Sequence, residues 1–126
     1  MFNITCIVTN EKGISVFSEI CYTKNARGGM MFSEQIAAKN FRMRESKAGY
    51  STDWHLSADS TLLIIQKGIL RISLQNGDYR DFGSGEMFIA SEALPENIVF
   101  DSSIHGHKAA VIGAEDLVAI HIKLDN

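Results

Sequence analysis

Four histidines lie among the 126 residues, and one of them stands where a strand would display it beside a carboxylate. Asp53, His55 and Ser57 alternate with Trp54 and Leu56. Successive strand side chains point to opposite faces, so these three share one face and Trp54 takes the other. His105 and His107 share a face in the same way if their segment is a strand. Imidazole binds divalent transition metals well, and two histidines with a carboxylate can hold iron facially with positions left open for substrate. The plainer reading is a set of hydrogen-bonded polar residues in a partly wet pocket. No Ser/His/Asp order, P-loop, CxxC or Gly-x-Gly-x-x-Gly pattern is present, which argues against nucleophilic and nucleotide chemistry.

Side chains at such spacings need strands to hold them. Short period-two apolar runs are separated by glycine, asparagine or aspartate, which is strand-turn-strand punctuation. Phe41 and Met43 alternate with Arg42 and Arg44, which predicts a buried Phe41/Met43 face and a solvated arginine face. An arginine pair can also anchor an anionic ligand. Leu62-Leu63-Ile64-Ile65 is a continuous apolar run suited to a strand covered on both sides. Leu70, Ile72 and Leu74 alternate with polar residues up to Asn76-Gly77, a pair suited to a type I′ hairpin because both central residues there need positive φ.

The return strand runs from Asp78 to Phe82, and Gly83-Ser84-Gly85 ends it before Met87-Phe88-Ile89. Val118, Ile120, Ile122 and Leu124 alternate with Ala119, His121 and Lys123, which puts His121 on the solvent side. Glu34, Gln35, Ala37 and Ala38 favour helix, but the stretch from Ser33 to Phe41 is short for one. Roughly eight or nine short strands mean a sandwich or a barrel.

Composition sets the bounds. Hydrophobic residues make up 45% and charged residues 21%, as in a folded globular chain, and the length suits one domain over residues 1–126. The net charge of −3 offers no electrostatic footprint for nucleic acid or an anionic membrane, so a neutral small molecule is the expected partner. No secretory n-region or h-region is visible, and no apolar run approaches the roughly 18 residues of a membrane span, so a cytoplasmic location is expected. Cys6 and Cys21 flank a turn at Asn10-Glu11-Lys12-Gly13. That turn puts Cys6 opposite Val16 or Phe17. At about 3.3 Å of rise per residue, Cys21 is then beyond the roughly 7 Å limit for a disulfide, and both cysteines are expected as free, buried thiols.

From Gly49 onward the sequence resembles the cupin superfamily, whose first motif reads Gly, five residues, His-x-His, three or four residues, Glu, six residues, Gly. Gly49, His55 and Gly68 hold those positions, with Ser57 at the second histidine and Thr61 at the glutamate. Gly85 matches the opening of the second motif, Ser91 its proline, Val111 its final asparagine and His107 its closing histidine. Between Gly85 and His107 lie 21 residues, roughly twice the family's spacing. The excess reads as an insertion at Glu92 to Ser103, and near a pocket mouth such a loop could be a lid. More narrowly, Asp53-Trp54-His55, Gln66-Lys67-Gly68, Asn76-Gly77, Phe82-Gly83-Ser84-Gly85 and a late Gly-His are similar to a group of small, mostly uncharacterised single-domain cupins over residues 34 to 124.

The resemblance implies an all-β, double-stranded β-helix (jelly-roll) barrel, with residues 1–33 as an N-terminal hairpin extension and 34–126 as the barrel core. It implies an interior pocket with His55, Ser57, Thr61 and His107. A divalent metal (iron, manganese, zinc or nickel) would sit on His55, His107 and Asp53, two of the usual ligands being replaced. The leading expectation is a small-molecule-binding protein with a partly degenerate metal site. The alternatives are a metal-dependent dioxygenase, isomerase or lyase on a small organic substrate, and a structural or regulatory dimerisation module. Cupins often pair through sheet edges, so the hairpin from Ile4 to Tyr22 implies a homodimer. His105 is expected at the surface. Tyr50 and Trp54 either stack on a ligand or fill the barrel.

Overall fold

The structure, a computed structural model, describes residues 1–125. Its strands are β1 (Phe2–Thr9), β2 (Ser15–Tyr22), β3 (Asn25–Arg27), β4 (Met30–Phe32), β5 (Ala38–Ser46) and β6 (Thr61–Lys67), followed by β7 (Ile69–Leu74), β8 (Tyr79–Phe82), β9 (Met87–Ser91), β10 (His107–Ile112) and β11 (Leu117–Leu124). Among the described residues there is no helix: residues 33–37 are irregular and the rest of the segment to Phe41 belongs to β5. No described helix is long and apolar enough to cross a membrane.

Six strands form one sheet in the order β2-β1-β9-β6-β11-β5, and three form the facing sheet, β10-β7-β8. All pairings are antiparallel except β1 with β9. The chain is thus an all-β jelly-roll barrel. Its interior cluster takes Ile7, Leu63, Ile65, Phe88, Leu117 and Ala119 from the large sheet and Leu70, Ile72, Phe82 and Val111 from the small one. Each fully buried aliphatic or aromatic side chain of this kind stabilises the fold by roughly 1.5–3 kcal/mol. The N-terminal hairpin is continuous with this sheet, since β1 pairs with β9 from Thr5↔Phe88 to Val8↔Ser91.

The Leu74–Asp78 connection is not a type I′ turn. Leu74 N donates to Asp78 O at 2.8 Å and Gly77 N to Leu74 O at 3.1 Å, closing a three-residue loop. Only Gly77 has positive φ (92°), the pattern of a type I turn closed by a glycine bulge. The Asn10–Gly13 turn forms as expected, with Asn10 N bonded to Ile14 O at 2.9 Å. It sets Cys6 opposite Ser18 and Cys21 opposite Asn3. Both thiols are free, but only Cys6 is buried, and burial pushes its thiol pKa up. Cys21 is exposed because β2 is an edge strand whose outer positions meet solvent.

Two strands present the face opposite to the one expected. In β5, Phe41 and Met43 point outward at 69% and 77% exposure, whereas Arg42 and Arg44 face the barrel interior. In β11 the interior positions are Ala119, His121 and Lys123, paired with Arg44, Arg42 and Asn40 across the edge. The large sheet has apolar residues on both faces. Its outer one gathers Ile4, Cys6, Ile89 and Leu124, with Leu62 and Ile122 packed against them, so the alternation alone selected the wrong side.

Candidate functional site

A cavity of about 420 Å³ opens between the two sheets, within the size range of small-molecule sites. Leu63, Phe88 and Ala90 from the large sheet and Leu70, Ile72 and Ala109 from the small one form its apolar floor. Its polar groups occupy two walls.

The first wall is cationic. Strand β5 contributes Arg42 and Arg44, and β11 contributes His121 and Lys123. Lys123 is paired with Asp59 at 3.3 Å. Among the described residues neither arginine has a carboxylate within ion-pair distance. Arg44 Nε donates to Ser46 Oγ at 3.0 Å, its guanidinium lies 5.6 Å from the Tyr50 ring, and its Nη1 lies 3.4 Å from His121 Nε2. A guanidinium has only donors, so His121 Nε2 is the acceptor there. Burial lowers the Arg44 pKa from its ordinary value, though an arginine remains charged. Burial, then Arg44, then Arg42 pull the His121 imidazole below its usual value. His121 is therefore half-buried and neutral at pH 7, not a solvated surface residue.

The second wall carries two imidazoles. His55 and His107 pair as backbone neighbours, with His55 N bonded to His107 O at 3.0 Å and His107 N to His55 O at 2.9 Å. Their ring centroids are 4.4 Å apart, tilted by 53°. Gly106 permits this approach. It sits at φ +85°, and a Cβ there would lie 2.6 Å from His55 O.

Each ring is held by its Nδ1. His55 Nδ1 donates to Asp53 O at 2.8 Å, which leaves Nε2 with a lone pair. His107 Nδ1 lies 2.6 Å from Glu92 Oε1. The carboxylate sits off the N–H axis, so this contact is a close electrostatic one and Nδ1 has no directed hydrogen bond. At 2.6 Å the attraction persists off-axis, because Coulomb attraction between such buried groups depends less on angle than a hydrogen bond does. The Glu92 side chain is fully buried. Ser15 Oγ donates to its Oε2, Ser57 N donates to its Oε1 at 3.2 Å, and Glu92 N donates to Ser57 Oγ at 2.8 Å.

His55, Ser57, Thr61 and His107 all line the cavity, and Asp53 does not. Asp53 reaches the site only through its backbone carbonyl. Ser57 serves as a bracket for Glu92, and Thr61 Oγ1 donates to Asp59 O at 3.0 Å. Trp54 points away and lies under Lys108. His105 is buried, not at the surface. Its Nδ1 accepts from Asp101 N at 2.9 Å, and its ring packs beside Gly13. None of residues 93–106 lines the cavity. The Glu92–Ser103 stretch is therefore no lid over it, and it ties instead to the β1–β2 turn through Thr9 and Ala93.

A divalent metal does not fit this arrangement. Among the described residues no three His, Cys, Asp or Glu side chains gather as ligands. The two imidazoles line a cavity whose other wall holds Arg42 and Arg44, which repel a cation.

No protein-family model matches the chain, and no curated protein matches it. Solved structures do. Protein NMB1881 from Neisseria meningitidis is 15% identical over 77% of this chain and 90% of its own, with a TM-score of 0.49. A cupin domain from Bordetella pertussis is 13% identical over 73% and 91%, with a TM-score of 0.49. A cupin-2 domain-containing protein from Shewanella frigidimarina is 17% identical over 72% and 78%, with a TM-score of 0.46.

Proposed function

We infer that this chain binds a small organic anion in its barrel cavity, with a carboxylate-type head on Arg42 and Arg44 and an apolar body on the floor. The observation that carries this reading is the inward orientation of two arginines with no carboxylate partner among the described residues. Paired guanidinium groups suit planar oxyanions because they offer parallel donors. The whole-chain charge pointed to a neutral ligand, but a ligand responds to the local field, which here is positive. Among the described residues the metal-dependent alternative lacks a third donor. A purely structural module would be expected to fill its barrel, and this one keeps an open cavity.

Calorimetric titration of carboxylates with growing apolar bodies, from acetate to hexanoate and phenylpyruvate, tests the reading. Affinity should grow with the apolar body and fall at least tenfold in Arg42→Met/Arg44→Met. Affinity unchanged by that double substitution, or no binding by any of these acids, would overturn it.

Self-association belongs to the same proposal. Of the two sheet edges, β2 exposes Ser18, Glu19 and Cys21, while β5 exposes Phe41 and Met43, so β5 is the edge favoured for a second copy. Sedimentation should find a dimer that Phe41→Glu/Met43→Glu disperses. A monomer in the unsubstituted protein removes this part of the proposal.

A further inference from the structure

The Glu92–His107 contact and the His55–His107 pair sit on the wall opposite the arginines, and anion binding alone makes no use of them. Resting on the anion reading, we propose that His107, oriented by Glu92, and His55 form a same-face proton-transfer pair that enolises a bound 2-oxo carboxylate at the carbon next to its carbonyl.

Three observations carry this. Both rings are engaged at Nδ1, by Asp53 O and by Glu92 Oε1, so each offers Nε2 as its remaining basic nitrogen. A carboxylate on the far nitrogen fixes the tautomer and stabilises the imidazolium that forms when the ring takes a proton. Such contacts often stay off-axis until substrate is bound. The rings are neighbours, 4.4 Å apart across the bridge that joins the β5–β6 connection to the start of β10, so they address one face of a substrate. Finally, the guanidinium groups lie in the same cavity, where they can meet both a carboxylate and an oxyanion developing beside it.

The step balances without a co-reactant. The lone pair on His107 Nε2 forms an N–H bond as the substrate C–H bond breaks. The C–H electron pair becomes the C=C bond of an enolate, and the carbonyl π pair moves onto oxygen, facing the arginines. The imidazolium so formed on His107 passes its Nε2 proton to the free Nε2 of His55 or exchanges it with solvent, and a proton from the ring then charged returns to the same face, restoring the carbonyl and a neutral ring. His107 and His55 are the catalytic residues, and Glu92 is a positioning residue.

Proton NMR in deuterium oxide reads the reaction directly, with 2-oxobutyrate and phenylpyruvate as probes. The protein should speed loss of the C3 proton signal over buffer, and His107→Asn should slow it about a hundredfold or more. Glu92→Gln should slow exchange while leaving the dissociation constant of each acid unchanged, and Glu92→Asp should recover part of the rate. A purely structural glutamate would instead weaken binding and exchange together. Circular dichroism confirms that each variant folds, and His107→Asn keeps the test valid if the Glu92 variants do not. Binding of both acids without exchange overturns this inference and spares the anion reading. Neither binding nor exchange overturns both.

Discussion

Glu92 and His107 meet at 2.6 Å with both side chains withdrawn from solvent, and among the described residues no other carboxylate contacts either imidazole of that wall. The pair joins the end of β9 to the start of β10. The hydroxyl of Ser15 on β2 and the backbone of Ser57 complete the bracket. A buried carboxylate with this many donors holds three distant segments together.

Removing that carboxylate should therefore cost more than a surface substitution. Glu92→Ala strands the Ser15 hydroxyl, the Ser57 amide and His107, and is expected to lower unfolding free energy by about 3 kcal/mol or more. Urea denaturation measures it. A loss indistinguishable from that of Glu96→Ala in the exposed loop would contradict the role given to Glu92.

Stability should depend on pH through His121. Its folded-state pKa lies below the ordinary 6.5 because of burial and the Arg44 and Arg42 charges. As pH falls below about 6.5 the unfolded chain takes up this proton before the folded one does, so the His121 contribution is complete above that pH and declines beneath it. A bound carboxylate favours the imidazolium, so anion affinity should rise over the same fall in pH. Titrations in buffers of different ionisation enthalpy should reveal proton uptake on binding, absent in His121→Asn.

Gly106→Ala should force the two histidine segments apart. The added carbon would meet His55 O at 2.6 Å and its C and N atoms at 2.9 Å, at a φ that disfavours any side chain. A destabilisation of about 1–3 kcal/mol is expected, together with altered imidazole resonances from both His55 and His107. Unperturbed resonances would mean that the bridge does not need this approach.

Metal content tests the donor argument. Untagged protein incubated with iron, manganese, zinc or nickel and then desalted should carry substoichiometric metal by elemental mass spectrometry. A full equivalent that disappears in both His55→Ala and His107→Ala would restore the metal centre.

Strands and turns were legible in the sequence because period-two runs and glycine or asparagine breaks are local signals, as at Leu70–Gly77. Which face of a strand turns inward was not. Phe41, Met43, Ile120 and Ile122 look like core residues, yet they lie on the outer face of a sheet that is apolar on both sides. His55, Ser57, Thr61 and His107 were expected in a pocket from the cupin resemblance, and the structure lines the cavity with all four. Glu92 was missed because Ser15, Ser57 and His107 come to it from far along the chain, and no local pattern marks an acidic residue at a strand's end as buried. His105 and His121 were assigned to the surface for the same reason, since their burial depends on strands distant in sequence.

Among the described residues, strand β5 has a neighbour on one side only. A slip of a single residue along β11 would turn Phe41 and Met43 into the barrel and Arg42 and Arg44 out to water, the arrangement that hydrophobic patterning alone prefers. The native register is therefore locally frustrated, kept against that preference by the rest of its ladder with β11. Conflicts of this kind between local pattern and global fold concentrate where a protein works. In this strand the conflict puts two positive charges where a ligand can reach them, and it leaves β5 open to a kinetically trapped, misregistered barrel during folding.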